Sequence, residues 1–316
     1  MKTLLKNVEK RSTLPVLSCV WVSKGFLISS DLDMECRIPA NGLDHGVYNA
    51  ALLGKGIVQK VNDISLDDTP TFTVNGEVLK QIENISYDDL EFVFKAVSHE
   101  ETRYYLNGIY FDGQNMVATD GHRLHCKPLQ ADYCHGFNLE SSNSDNPILP
   151  RRAVNLILSA MKEYKATHVD IAFTQFQAIV RIGEFTLSTK LIDATFPDYK
   201  RVIPDMTAPT MQGPFDYSAF KKALPLAKIQ SPRNRAVKYS AESKAWATQG
   251  DSPLPLPDIT GFFLCSDSPA YNVGFNCEYL AETGLTGVLI GKGAGDPHLI
   301  TCINSDRFAV VMPIRV

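Results

Sequence analysis

The stretch RYYLNGIYFDGQNMVATDGHRLHCKPL (103–129) decides the fold, because its pattern recurs at LPVLSCVWVSKGFLISSDLDMECRIPA (14–40). Both copies begin with an apolar or aromatic cluster. Both continue as a strand (20–22; 109–111), a polar turn (23–25; 112–115) and a second strand (26–29; 116–118). Each then reaches an aspartate, Asp31 or Asp120, and alternates onward to a proline. Period-two alternation around a polar turn predicts a hairpin that extends into a third strand. A fainter third copy is RAVKYSAESKAWATQGDSP (235–253).

The flanks repeat as well. YNAALLGKGIVQKVNDI (48–64), PILPRRAVNLILSAMKEY (147–164) and YNVGFNCEYLAETGL (271–285) each read as a strand entering a short helix. Ile57, Val58 and Val61, and Val154, Ile157, Leu158 and Met161, recur at helical spacing. LLKNVEKR (4–11), YDDLEFVFKAVSHEE (87–101) and YSAFKKALPLAKIQ (217–230) read as helices leading into the hairpins, with Ser86 or Asp88 capping the middle one. Strands close each unit, at 71–79, 168–192 and 298–316.

The chain therefore reads as α+β, three copies of helix–strands–helix–strands with boundaries at 1–82, 83–205 and 206–316. PDMTAPTMQGP (204–214) reads as a linker, and QADYCHGFNLESSNSDNP (130–147) as a polar surface loop. Units this small close little core alone. Placed edge to edge, they continue each other's sheets and remove exposed strand edges.

Net charge is -4 over 316 residues, which argues against a protein that coats nucleic acid generally. The distribution is less neutral. Lys6, Lys10, Arg11, Lys55, Lys60, Lys95, Arg151, Arg152, Lys162, Lys165, Lys221, Lys222 and Lys228 fall in or beside expected helices. Asp67, Asp68, Glu140, Asp145 and Asp251 fall in turns and loops. A basic helical face would attract phosphates without reading bases. Lysines that merely solvate exposed helices give the same composition, and on the residues alone both readings stand.

The 7 cysteines, an odd number without a Cys-x-x-Cys pair, favour reduced thiols in a cytoplasm. MKTLLKNVEKR is too short and charged for a signal peptide, and no apolar run approaches the ~20 residues of a membrane span. A soluble intracellular protein is expected, with no membrane contact.

Two catalytic readings of ATDGHRLH (118–125) compete with a structural one. His122, His125, Cys126, Cys134 and His135 could hold a metal, but an i, i+3 histidine pair on a strand points to opposite faces. Asp120 and His122 with a serine could form a hydrolase site, but no G-x-S-x-G elbow occurs. GKGAG (291–295) lacks the rest of a phosphate-binding loop. No metal, no cofactor and no catalytic residue are expected.

Ordered motifs along the chain carry a more specific reading. STLPVLS (12–18), DLDMEC (31–36), RYYLNGIYFD (103–112), VATDGHRL (117–124), ILPRRAV (148–154), KLIDATFPDYKRVIP (190–204), VGFNCEYL (273–280) and AVVMPIRV (309–316) resemble, in order, the bacterial sliding clamp family, the beta subunit of DNA polymerase III. The resemblance implies three clamp-type domains, each with antiparallel sheets outside and two helices inside, forming half of a ring. It implies a head-to-tail homodimer around double-stranded DNA and a clamp loader that opens it. It also implies a pocket where the replicative DNA polymerase and other clamp-binding-motif proteins dock.

Carried over by motif, that pocket comprises Arg103, Leu106, Thr119, Gly121, His122, Arg123 and Leu124, then Pro197, Arg201 and Val202, then Asn276, Tyr279, Val310, Val311, Met312, Pro313, Ile314 and Arg315. Leu106, Leu124, Val202, Val311 and Met312 suit an apolar floor, and Arg103, His122 and Arg201 suit rim donors for carbonyls or a carboxylate. Arg11, Arg103, Tyr104, Tyr105, Arg151 and Arg152 are the candidates for DNA contact, with Glu100 and Glu101 close enough to weaken it.

The chain departs from the family in its first unit. MKTLLKNVEKR reads as beginning inside the first helix, so the usual opening strand is expected to be absent or replaced, and the stretch between Asp67 and Tyr87 is short for the end of a clamp domain. These departures point to a shortened member of phage or mobile-element type. The alternative is a clamp-derived peptide-binding scaffold that does not close a ring.

Overall fold

The computed structural model describes every residue except 10–11, 139–144, 206–208, 251, 260–262, 265–270 and 316, and at 263–264 it describes the backbone alone. The first stretch holds α1 (Lys2–Lys6), β1 (Cys19–Ser23), β2 (Phe26–Ser30), β3 (Met34–Pro39), β4 (Gly46–Asn49) and α2 (Ala50–Leu53). Next come β5 (Lys80–Ser86), α3 (Tyr87–Phe94), β6 (Gly108–Phe111), β7 (Asn115–Thr119), β8 (Arg123–Pro128), β9 (Cys134–His135) and β10 (Ile148–Pro150). They are followed by α4 (Arg151–Tyr164), β11 (His168–Phe173), β12 (Gln177–Ile182) and β13 (Phe185–Lys190). The last stretch holds β14 (Met211–Asp216), α5 (Tyr217–Gln230), β15 (Ala236–Ser240), β16 (Ala245–Thr248) and β17 (Phe263–Leu264). It ends with β18 (Val273–Asn276), α6 (Cys277–Glu282), β19 (Thr286–Gly291), β20 (His298–Cys302) and β21 (Phe308–Val311).

Two compact units result, and neither is a single sequence repeat. One comprises Met1–Glu91, Asn107–Gln114 and Leu129–Thr195. Its main sheet runs β4-β1-β2-β3-β13-β12-β11-β5-β9. The join is β3 with β13, Cys36 opposite Leu187, so strands from the first and second expected repeats form one antiparallel sheet. Lys24 and Gly25, both at positive φ, make the two-residue turn between β1 and β2 that matches strand twist. Phe111 and Phe173 pack 5.5 Å apart in this core, and α4 buries Val154, Ile157 and Met161.

The other unit comprises Phe92–Leu106, Asn115–Pro128 and Phe196–Val316. Here β7-β8-β21-β20-β19-β14-β17 run side by side, joined across repeats by β8 with β21. A separate sheet, β16-β15-β18, packs Trp246 against Phe220, Tyr239 and Phe275.

The matched aspartates prove to be the same structural device. Asp31 Oδ1 accepts the backbone N–H of Asp33 (3.0 Å) and Met34 (2.7 Å). Asp120 Oδ1 accepts those of His122 (2.9 Å) and Arg123 (3.0 Å). Each carboxylate closes a turn that aims the next strand. Ser86 caps α3 as expected, its Oγ accepting the Asp89 N–H at 3.1 Å.

Several expected elements are shorter or displaced. The helix expected over 48–64 stops at Leu53; Gly54 keeps helical dihedrals as the C-cap, and Gly56, at φ +80°, turns the chain away. Ile57 and Val58 consequently stand 53% and 59% exposed. The helix expected over 4–11 ends at Lys6, and α3 ends at Phe94 rather than at 101. No strand forms at 71–79; the Gln177 side chain takes up the Asn75 N–H and donates to the Thr73 carbonyl in place of a ladder. The linker expected over 204–214 contributes β14, buried on alternate residues. Pro214 is accommodated because, among the described residues, β17 pairs only with Met211 and Gln212.

Candidate functional site

In the second unit, the turn closed by Asp120, the start of β8 and the end of β21 border a groove of about 240 Å³. Leu106, Leu124 and Val310 form its buried floor. Thr119, Gly121, His122 and Arg123 make one wall; Pro197, Asp198, Tyr199 and Val202 make another; Met312 and Arg103 complete the lining. The chain beyond β21 is fastened in place, since the Met312 N–H donates to the His122 carbonyl at 2.9 Å and the Ile314 N–H to the Gly274 carbonyl at 2.8 Å. Tyr199 is buried and its hydroxyl accepts from Asn115 Nδ2 at 3.0 Å, which anchors the second wall.

Arg123 holds the first wall rigid. Its guanidinium donates to Asp120 Oδ2 (3.1 Å), Glu282 Oε2 (2.5 Å) and the Lys95 carbonyl (2.6 Å), and it lies 4.5 Å over the Tyr279 ring. With its donors occupied inside the protein, this side chain positions the wall. The His122 ring lies nearly parallel to Tyr279, at 6.5 Å. Burial foremost, then Asp120, pushes the Tyr279 hydroxyl above its ordinary pKa.

Eleven residues expected in the pocket line the groove: Arg103, Leu106, Thr119, Gly121, His122, Arg123, Leu124, Pro197, Val202, Val310 and Met312. The others stand elsewhere. Asn276 caps α6, accepting the Glu278 N–H at 2.9 Å. Tyr279 lies behind the wall it supports, and Val311 is wholly buried. Arg201 is 83% exposed and bound to Asp198 at 2.9 Å. Pro313 and Ile314 are half-buried and Arg315 exposed, all outside the lining. Asp198, Tyr199 and Tyr105 line the groove without having been expected there. The short helical turn Tyr199–Val202 was the available signal, since it folds 198 and 199 onto the side of Pro197 and Val202.

The two histidines of the opening stretch have opposite fates. His122 is exposed, whereas His125 is wholly buried and stacked on Phe92 at 4.5 Å. His125 Nδ1 lies 2.7 Å from the Phe92 carbonyl, and Nε2 has no partner among the described residues. Burial first, then the Arg123 charge, lowers its pKa to about 3. Among the described residues, no group of three or more His, Cys, Asp or Glu could hold a metal ion.

The candidate DNA residues are scattered in role. Arg11 lies outside the described residues. Tyr104 is 55% exposed and meets Tyr105 edge-on at 6.0 Å. Arg151 opens α4, its N–H donating to the Asn107 carbonyl at 2.8 Å. Arg152 binds Asp31 at 2.7 Å and donates to the Asn7 carbonyl at 3.2 Å, so it braces α4 against the first hairpin. No helix among the described residues is long and apolar enough to cross a membrane.

Residues 88–198 match the family described as the DNA polymerase III beta subunit, central domain. The beta sliding clamp of Caulobacter vibrioides is 29% identical over 369 aligned residues, covering 98% of this chain and 95% of that protein. A DnaN sliding clamp (DNA polymerase III subunit beta) from Bartonella birtlesii, solved bound to griselimycin, superposes with a TM-score of 0.80 at 27% identity, over 100% of this chain and 96% of that one. The Helicobacter pylori beta clamp bound to DNA ligase peptide shares the fold, with a TM-score of 0.73 at 20% identity over 100% and 96% of the two chains. The chain is thus similar to the bacterial beta sliding clamps over nearly its whole length, and its residues 88–198 match the central-domain family of the DNA polymerase III beta subunit.

Proposed function

We propose that the protein acts as a replication clamp without a catalytic site of its own. Two copies, joined head to tail, encircle double-stranded DNA irrespective of sequence. The groove on the second unit tethers the replicative polymerase and other proteins bearing a short glutamine-and-hydrophobic motif, and a clamp loader opens the ring. Three clamp domains at 1–82, 83–205 and 206–316 supply the parts, and the working site is the cytoplasm, at the nucleoid.

The observation that carries this reading is the groove itself. It joins an apolar floor to walls, the lining drawn from four separate stretches of the chain, a form suited to an extended peptide. The Helicobacter pylori relative, crystallised with a DNA ligase peptide, supports the same use here. DNA contact would come from Tyr104 and Arg151, with Arg103 shared between DNA and groove.

The irregular chain between α2 and β5 favours a second reading, a peptide-binding scaffold that does not close. Light scattering after size exclusion separates the two. Twice 35.0 kDa at micromolar concentration is expected of a clamp; a strict monomer would leave the scaffold.

A further inference from the structure

In sheet order, β4-β1-β2-β3 and β10-β6-β7-β8 are the same four-stranded arrangement, and β18-β15-β16 repeats its first three members. The fourth place is taken by an extended run at 253–256. The Thr248 N–H donates to the Leu254 carbonyl at 2.9 Å and the Leu256 N–H to the Trp246 carbonyl at 2.8 Å, which sets Ala247 opposite Pro255 in antiparallel sense. The run is therefore the counterpart of β3 and β8. Each of those strands receives the last strand of the following repeat, β13 or β21. Among the described residues, nothing pairs with the far side of 253–256.

Backbone groups of an extended run point alternately to its two sides. Leu254 and Leu256 turn theirs towards β16, and the Leu254 N–H also reaches Thr248 Oγ1 at 2.9 Å. The outward positions are 253 and 255, and both are proline, which has no N–H to donate. Pro257 then opens a turn in which the Ile259 N–H meets the Leu256 carbonyl at 3.2 Å, and the edge ends there. In β3 and β8 the residues that take the joining strand are Met34–Arg37 and Arg123–Cys126, and no proline is among them. An ordinary edge offers donors and acceptors in turn; this one offers acceptors alone.

We propose that residues 253–256 form a closed sheet edge. It stands where the repeat would add a strand from a second copy of the chain, and its outward prolines refuse that strand, so two copies meet here without a main-chain ladder. That partner rests on the clamp reading; the blunted edge does not. The opposite side of the ladder is missing too. The strand that a second copy would offer is the first repeat's counterpart of β13 and β21, expected at 71–79, and no strand forms there.

Sedimentation equilibrium on the full chain tests this, comparing the unaltered protein with Pro255→Thr and with the double variant Pro253→Thr/Pro255→Thr. Threonine restores the amide, suits a strand and adds no apolar surface. Each restored main-chain donor is expected to tighten self-association about threefold. The double variant should then associate about tenfold more tightly than the unaltered chain, with the amide at position 255 protected from hydrogen exchange in the associated form. Pro255 is exposed, and Leu254 and Leu256 hold the run to β16, so the single variant decides the matter if the double one does not fold.

Equal association of the variants and the unaltered chain overturns the closed edge; if all are dimers, the head-to-tail reading stands without it. A strictly monomeric unaltered chain beside a dimeric variant supports the closed edge and overturns the head-to-tail reading.

Discussion

His125 shows how a residue in the middle of a functional motif can belong wholly to the core. It is neutral when folded, with Nδ1 against the Phe92 carbonyl and its ring on Phe92. Its pKa falls from 6.5 to about 3 on folding. The unfolded chain therefore takes up a proton below about pH 6.5 that the folded chain refuses. The stability tied to this group is complete above 6.5 and is lost as pH falls towards 3. Between pH 6 and 4 the unaltered protein should lose about 1.4 kcal/mol per pH unit more than a His125→Phe variant, measured by denaturant unfolding. Equal slopes would show that His125 titrates alike in both states. At this scale the sequence was legible where geometry repeats, as with Asp31 and Asp120. It was not legible where a cation's partners come from afar. Arg123, expected among the pocket residues, lines the groove with its guanidinium engaged by Glu282 and the Lys95 carbonyl, both distant in sequence.

Among the elements, β21 and the chain beyond it matter most to the groove. Val310 pairs with Leu124 and Val311 with Arg123, and Met312 is then fastened to His122. The registry leaves Val310 lining the groove and Val311 in the core, an alternation that period two predicts once the strand is placed. Removing residues 312–316 deletes one lining side chain and the hydrogen bonds to His122 and Gly274, while leaving β21 paired to β8 and β20. Peptide binding should be abolished, with far-ultraviolet circular dichroism unchanged; retained affinity would contradict the groove. Hairpins and the helices at 151–164 and 217–230 were readable from periodicity. The helix expected past Leu53 was not, because Ile57, Val58 and Val61 keep helical spacing although Gly56 turns the backbone out of the helix first. Asn276, expected in the pocket, stands just before a helix and serves as its cap.

For the whole molecule, the repeat told how the chain would be assembled but not which strands would meet. Pairing of β3 with β13 and of β8 with β21 joins residues more than a hundred positions apart, and no local pattern encodes such registers. The consequence is functional. A repeat that shares its sheet with its neighbour is tied to it, which suits the proposed retention on DNA. With net charge -4 overall, direct affinity for DNA should contribute little to that retention. The most direct measurement is therefore topological. After loading, the protein should stay on closed circular DNA through gel filtration and be released when the circle is cut to a linear molecule. Equal loss from circular and linear DNA would contradict encirclement.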